Sequence, residues 1–92
     1  MASGKMDQPY AWKIIELGAV TDVDIVNREA GRAYHFTFTS TANNIPSANG
    51  GQGLLFLNAG NTDWGCQVTF SNGGIYFRPL TTSGYGLWSK II

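Results

Sequence analysis

The stretch CQVTFSNGGIYFR, residues 66 to 78, constrains the fold more than any other part of the chain. Cys66, Val68 and Phe70 fall on one side of an extended backbone, SNGG supplies residues that tolerate positive φ, and IYFR resumes the alternation. This pattern predicts a β-hairpin from about Cys66 to Arg78. AYHFTFTS alternates as strictly, with Tyr34, Phe36 and Phe38 on one face and His35, Thr37 and Thr39 on the other. GLLFLN is a short continuous apolar run and reads as a strand covered on both faces. Pro79 cannot donate to a ladder, so its strand is expected to end there or to lie at an edge. A last strand is expected over about Gly86 to Ile91.

The expected fold class is therefore mainly β: a small single domain with an antiparallel sheet and long Asn/Gly loops at 40–52, 58–65 and 79–86. The expected core is Tyr34, Phe36, Phe38, Leu54 to Leu57, Val68, Phe70, Ile75 and Phe77. One short helix or turn near the N-terminus is expected in TDVDIVNREAG, residues 21 to 31. Thr21 fits an N-cap, Gly31 fits a stop, and Val23, Val26 and Ala30 share a helical face. The β-branched residues of that stretch argue the other way.

Composition narrows the function. The chain has 92 residues, a formal net charge of zero and only 13% charged residues, about half the usual share of about 25%. Without a basic field it is not expected to bind nucleic acid or anionic lipid. So few charges suit a surface partly covered by neighbours, so an oligomer is expected. Cys66 is the sole cysteine, which rules out an intrachain disulfide and a multi-cysteine metal site. The longest apolar run, Leu54 to Leu57, is too short to span a bilayer as a helix, so no membrane insertion is expected.

A phrase recurs near the two ends: YAWKII at 10 to 15 and YGLWSKII at 85 to 92, with 76 residues from Trp12 to Trp88. The expected organisation is an added leader at 1–6 (MASGKM), the end of a preceding module or a linker at 7–19, and a single domain at 20–92.

Catalysis needs converging groups, and few are evident. His35, the only histidine, lies on the polar side of its strand and is expected to face solvent or a subunit contact. Asp7, Glu16, Asp22, Asp24, Glu29 and Asp63 are scattered. Asp22, Asp24 and Asn27 lack the Gly and the Glu that a calcium loop requires, since Asn27 and Ala33 occupy those positions. No metal, cofactor or catalytic residue is expected. Arg78, before a proline, is expected to make an ion pair or a backbone contact.

Binding has better candidates. NAGNTDWGC sets Trp64 beside Asn58, Asn61 and Asp63, an aromatic plate with amide and carboxylate groups of the kind that reads a sugar's ring face and hydroxyls. The alternative for Trp64 is a lid on the core or a contact with a neighbouring subunit. Tyr85 and Tyr76 are further candidates for receptor or glycan contact. Trp12 and Trp88 are assigned to the core or to module junctions.

The order NIP at 44–46, GLLFL at 53–57, CQVTF at 66–70, GIYFRPL at 74–80 and GLWSKII at 86–92 resembles the pyocin knob module of phage tail fibres, tail spikes and R-type pyocin fibres. The resemblance covers about residues 20 to 92. Where that family often has a Gly-Phe/Tyr-Tyr strand this chain has GRAYHF, and where the family frequently closes on two nearby tryptophans it has Tyr85 and Trp88. The resemblance implies a small, mainly antiparallel knob repeated along a homotrimeric fibre. It implies a non-enzymatic structural and host-recognition role, attachment to a bacterial surface glycan such as lipopolysaccharide, and a place in the virion tail after assembly in the host cytoplasm. The alternative reading of the same residues is a monomeric carbohydrate-binding module of a glycan-degrading protein; a small enzyme is the weakest reading.

Overall fold

A computed structural model of the chain describes residues 14–92. The leader at 1–6, the segment 7–13 and, with it, Trp12 of the recurring phrase lie outside the described residues. The described residues form one sheet: β1 (Ile14–Ala19), β2 (Ala33–Phe38), β3 (Gly51–Leu57), β4 (Gly65–Ser71), β5 (Gly74–Thr81), β6 (Gly84–Tyr85) and β7 (Ser89–Lys90). Neighbours follow chain order from β1 to β6, and β7 also pairs with β5. From β2 onward every pairing is antiparallel, so the mainly β, antiparallel expectation holds. The exception is β1, which pairs with β2 in parallel and slips register between Glu16 and Gly18.

That parallel pair explains the stretch in which a short helix or turn was expected. Two adjacent parallel strands need a long crossover, here residues 20–32, and helices usually supply it. No helix is present among the described residues; this segment is bends, extended chain and a turn at Ala30–Gly31. Its inward residues recur every second position: Val23 and Ile25 are buried whereas Val26 is exposed. Asp22 Oδ1 accepts the Asp24 amide at 2.9 Å, a local bond that competes with a first helical turn. The β-branched residues thus prevail over the capping signal.

The hairpin forms over β4 and β5, with Ser71 opposite Gly74. The positive φ falls at Gly74 (φ 133°), where a Cβ would collide with the Ile92 carbonyl. Of the two expectations for Pro79, the strand end is not met, since β5 runs on to Thr81. The outer side of β5 is served by two short strands, β7 at Tyr76 and Phe77 and β6 at Leu80 and Thr81. Pro79 falls at the seam between them, and its carbonyl still accepts the Gly86 amide at 2.8 Å. The last strand, expected over about Gly86 to Ile91, is reduced to β7 at Ser89–Lys90, and β6 lies just before it at Gly84–Tyr85.

The core gathers on one face of the sheet. Tyr34, Phe36 and Phe38 of β2 are buried as expected, together with Leu55, Leu57 and Leu80, beneath Val23 and Ile25 of the crossover. Ala42, Ile45, Tyr85 and Trp88 pack around this cluster. The inward positions of β4 and β5, however, are not the expected ones. Gln67 and Thr69 of β4 and Arg78 and Leu80 of β5 are buried. Val68, Ile75 and Phe77 are only half-buried, Phe70 is 39% exposed, and none joins the core cluster. Register dictates this: Leu55 faces Gln67, which faces Arg78, so pointing Leu55 inward turns Leu54, Val68 and Phe77 outward together. The sheet therefore carries a second face, away from the core cluster, with Leu54 and Phe56 of β3, Cys66, Val68 and Phe70 of β4, and Ile75 and Phe77 of β5.

Candidate recognition surface

The turn from Asn58 to Trp64 joins β3 to β4 at one end of the sheet. It is closed by the Asn58 amide donating to the Trp64 carbonyl at 2.9 Å, and it is tightened where Asn61 Oδ1 accepts the Asp63 amide at 2.6 Å. Asn58, Asn61 and Asp63 are exposed, and Trp64 is 46% exposed. The four sequence candidates of this loop thus share one surface turn, and Trp64 is not a buried lid.

Arg28, which the sequence gives no means of linking to this turn, braces it. Its Nε donates to the Thr62 carbonyl at 2.8 Å, its Nη1 to the Ile25 carbonyl at 2.7 Å and its Nη2 to Asp63 Oδ1 at 3.2 Å. The Arg28 side chain is largely buried while Asp63 is half exposed, so a fixed cation presents an exposed carboxylate. The sequence distance of 35 residues between them hides this pairing from any local motif. Arg28 also borders a shallow groove with Ile15, Val26, Asn27, Glu29 and Tyr34, which extends the surface beyond the turn.

Tyr85 sits inward of Arg28, whose guanidinium lies 5.7 Å from the ring centre. Its hydroxyl donates to the Ile25 carbonyl at 2.8 Å, and burial pushes the phenol up from its ordinary value. The Arg78 guanidinium also lies over the Tyr85 ring, 4.1 Å from its centre, and over the Trp88 ring at 4.4 Å. Arg28, Tyr85, Arg78 and Trp88 form a continuous column, so Tyr85 is held as a support of the turn. Trp88 packs on the core as expected, its Nε1 donating to the Asn44 carbonyl at 2.8 Å. Arg78 makes both kinds of contact expected of it. Its Nη2 lies 2.6 Å from Asp24 Oδ1 and donates to the Val23 carbonyl at 3.2 Å, while its Nε donates to Gln67 Oε1 at 2.7 Å. The contact with Asp24 is an ion pair outside hydrogen-bond geometry, since Oδ1 accepts no hydrogen bond. Tyr76 lies apart. Gly65, beside the turn, is opposite Leu80, and Tyr76 is four residues down β5 toward the hairpin, about 13 Å away at about 3.3 Å per residue.

His35 occupies the opposite side of the sheet from the core. Its Nδ1 lies 2.6 Å from Glu16 Oε1 and its Nε2 2.8 Å from Gln52 Oε1, a bridge across β1, β2 and β3. These partners raise the imidazole above its ordinary value, Gln52 more than Glu16. Glu16 is held below the ordinary carboxylate range by the Gly18 amide first and His35 second. Among the described residues no group of three His, Cys, Asp or Glu side chains converges as a metal site would require. The Cys66 thiol is pushed up by burial, away from the thiolate a nucleophile needs.

No family model, curated protein or solved structure matches this chain.

Proposed function

We propose that this chain is a non-enzymatic structural and host-recognition module of a trimeric phage tail fibre or tail spike, the class of protein whose knob module its sequence resembles, and that it contributes to attachment to the bacterial cell surface. The observation that carries the recognition role is the braced turn 58–64. It displays an aromatic plate, two amides and a carboxylate on a rigid sheet end, with Arg28 fixing the carboxylate from beneath. Such a platform suits the ring face and hydroxyls of a surface glycan. A carbohydrate-binding module of a glycan-degrading protein would use the same turn but stay monomeric.

The test is binding of the purified chain to bacterial cells and to lipopolysaccharide. Trp64→Ala, on an exposed position, is expected to abolish binding while leaving the melting temperature unchanged. Binding that persists in the folded Trp64→Ala variant overturns the assignment of the turn.

A further inference from the structure

Antiparallel sheets commonly cover one face and wet the other, and the wet face is then polar. Here the covered face carries Gln67, Thr69 and Arg78, and the open face carries Leu54, Val68, Phe70, Ile75 and Phe77. Among the described residues, the crossover and the loops cover the face that carries the core cluster.

We infer that other copies of this chain cover the open face of the sheet, meeting it through the apolar patch of β3, β4 and β5. This deepens the reading above, on whose self-association it rests, by assigning the surface where copies meet. The absence of charge calls for a partner face as neutral as this one, which a second copy supplies. The outward positions of β3 to β5 hold no charged residue, so a charged partner finds nothing to pair with, whereas two such neutral faces meet without an unpaired ion. The net charge of zero leaves no long-range repulsion between copies. The patch is flanked on β1 and β2 by Glu16, His35 and Thr37, with Gln52 of β3 between, so an apolar centre adjoins a polar margin as in a protein interface. Size is compatible too. Five strands of six to eight residues make a face of about 24 by about 22 Å, about 500 Å² in flat projection, and side-chain relief brings this towards the roughly 800 Å² per partner of a standard interface.

Cys66 lies on this face and is the only thiol, so it reports on coverage. The experiment uses the full 92-residue chain, with its mass followed by light scattering across a wide concentration range and N-ethylmaleimide labelling of Cys66 timed at each concentration. The expected result is a mass that is a multiple of 10.0 kDa, with labelling that slows several-fold as the oligomer forms. Val68→Asp and Phe70→Ser, each checked by circular dichroism, are expected to yield monomers with fast labelling. Should these variants fail to fold, the labelling of the unaltered chain still decides. An oligomer with concentration-independent labelling, or one that survives in both folded variants, overturns this interface and leaves the self-associating module standing. A monomer at every concentration overturns the inference outright, and cell binding through Trp64 then judges the recognition role separately.

Discussion

Arg78 concentrates what single residues do in this molecule. A guanidinium is planar, offers donors in a fixed fork and stacks on rings. All of these properties are in use: Nε reaches Gln67, Nη2 reaches Val23 and faces Asp24, and the guanidinium lies over the rings of Tyr85 and Trp88. Lysine keeps the charge but loses the fork and the plane. Arg78→Lys is expected to cost about 2–4 kcal/mol, since Gln67 Oε1 is left short of a donor inside the core. Asp24→Asn is expected to cost about 1 kcal/mol or less, because the Asp24 side chain is 35% exposed and water screens it. Urea denaturation of both variants measures the difference; equal stability of Arg78→Lys and the unaltered chain would sink this account. The sequence made part of this legible. A basic residue before a proline implies an ion pair or a backbone contact, but the ring contacts depend on residues 85 and 88 returning over the sheet. Arg28 was illegible for the same reason: its partners Thr62 and Asp63 come from a loop more than thirty residues away.

Among the elements, β2, the hairpin and the all-β class were readable because alternation and turn chemistry are local. The inward face of β4 and β5 was not. In β4 alternation favours the wrong side, because Cys66, Val68 and Phe70 are its apolar set while Gln67 and Thr69 turn inward, and in β5 apolar residues lie on both sides, so only pairing with Leu55 selects the inward face. The crossover was ambiguous because capping residues and β-branched residues disagreed within one stretch. The edge strand β1 depends on a different interaction, the bridge from Glu16 through His35 to Gln52. The folded pKa of His35 lies above 6.5, so its contribution is complete below that pH and is lost as pH rises through the folded value. The folded pKa of Glu16 lies below 4.5, so its contribution is present above that pH and is lost as pH falls through the folded value. The bridge is therefore strongest between about 4.5 and 6.5. Amide exchange of β1, corrected for intrinsic rates, is expected to be slowest in that window and to quicken above it. In His35→Gln the quickening above neutrality should vanish. Identical pH dependence in the two proteins would mean that the bridge does not fasten β1.

For the whole molecule, the distribution of apolar surface sets the thermodynamics of association. One face of the sheet is filled by the chain's own crossover and loops, and the other presents aliphatic and aromatic side chains without charge among its β3–β5 positions. Association through such a face draws on apolar burial, which has two measurable signatures. Its strength varies little with ionic strength, because there are no ions to screen. Its enthalpy changes with temperature, because removing apolar surface from water lowers the heat capacity. Burying the β3–β5 patch, about 350 Å² in flat projection per chain, at about 0.45 cal/mol/K per Å², gives a heat-capacity change of about −0.16 kcal/mol/K per chain. Dilution calorimetry from cold to warm conditions is therefore expected to give a dissociation enthalpy that rises steadily with temperature. The dissociation constant should hardly change with sodium chloride and should tighten with sulfate, which strengthens apolar burial. Dissociation that grows steeply with sodium chloride, together with a flat enthalpy, would point to an ionic contact between copies. Among the described residues, Arg28, Glu29 and Arg32 stand on the crossover side of the sheet, so that result would move the interface there.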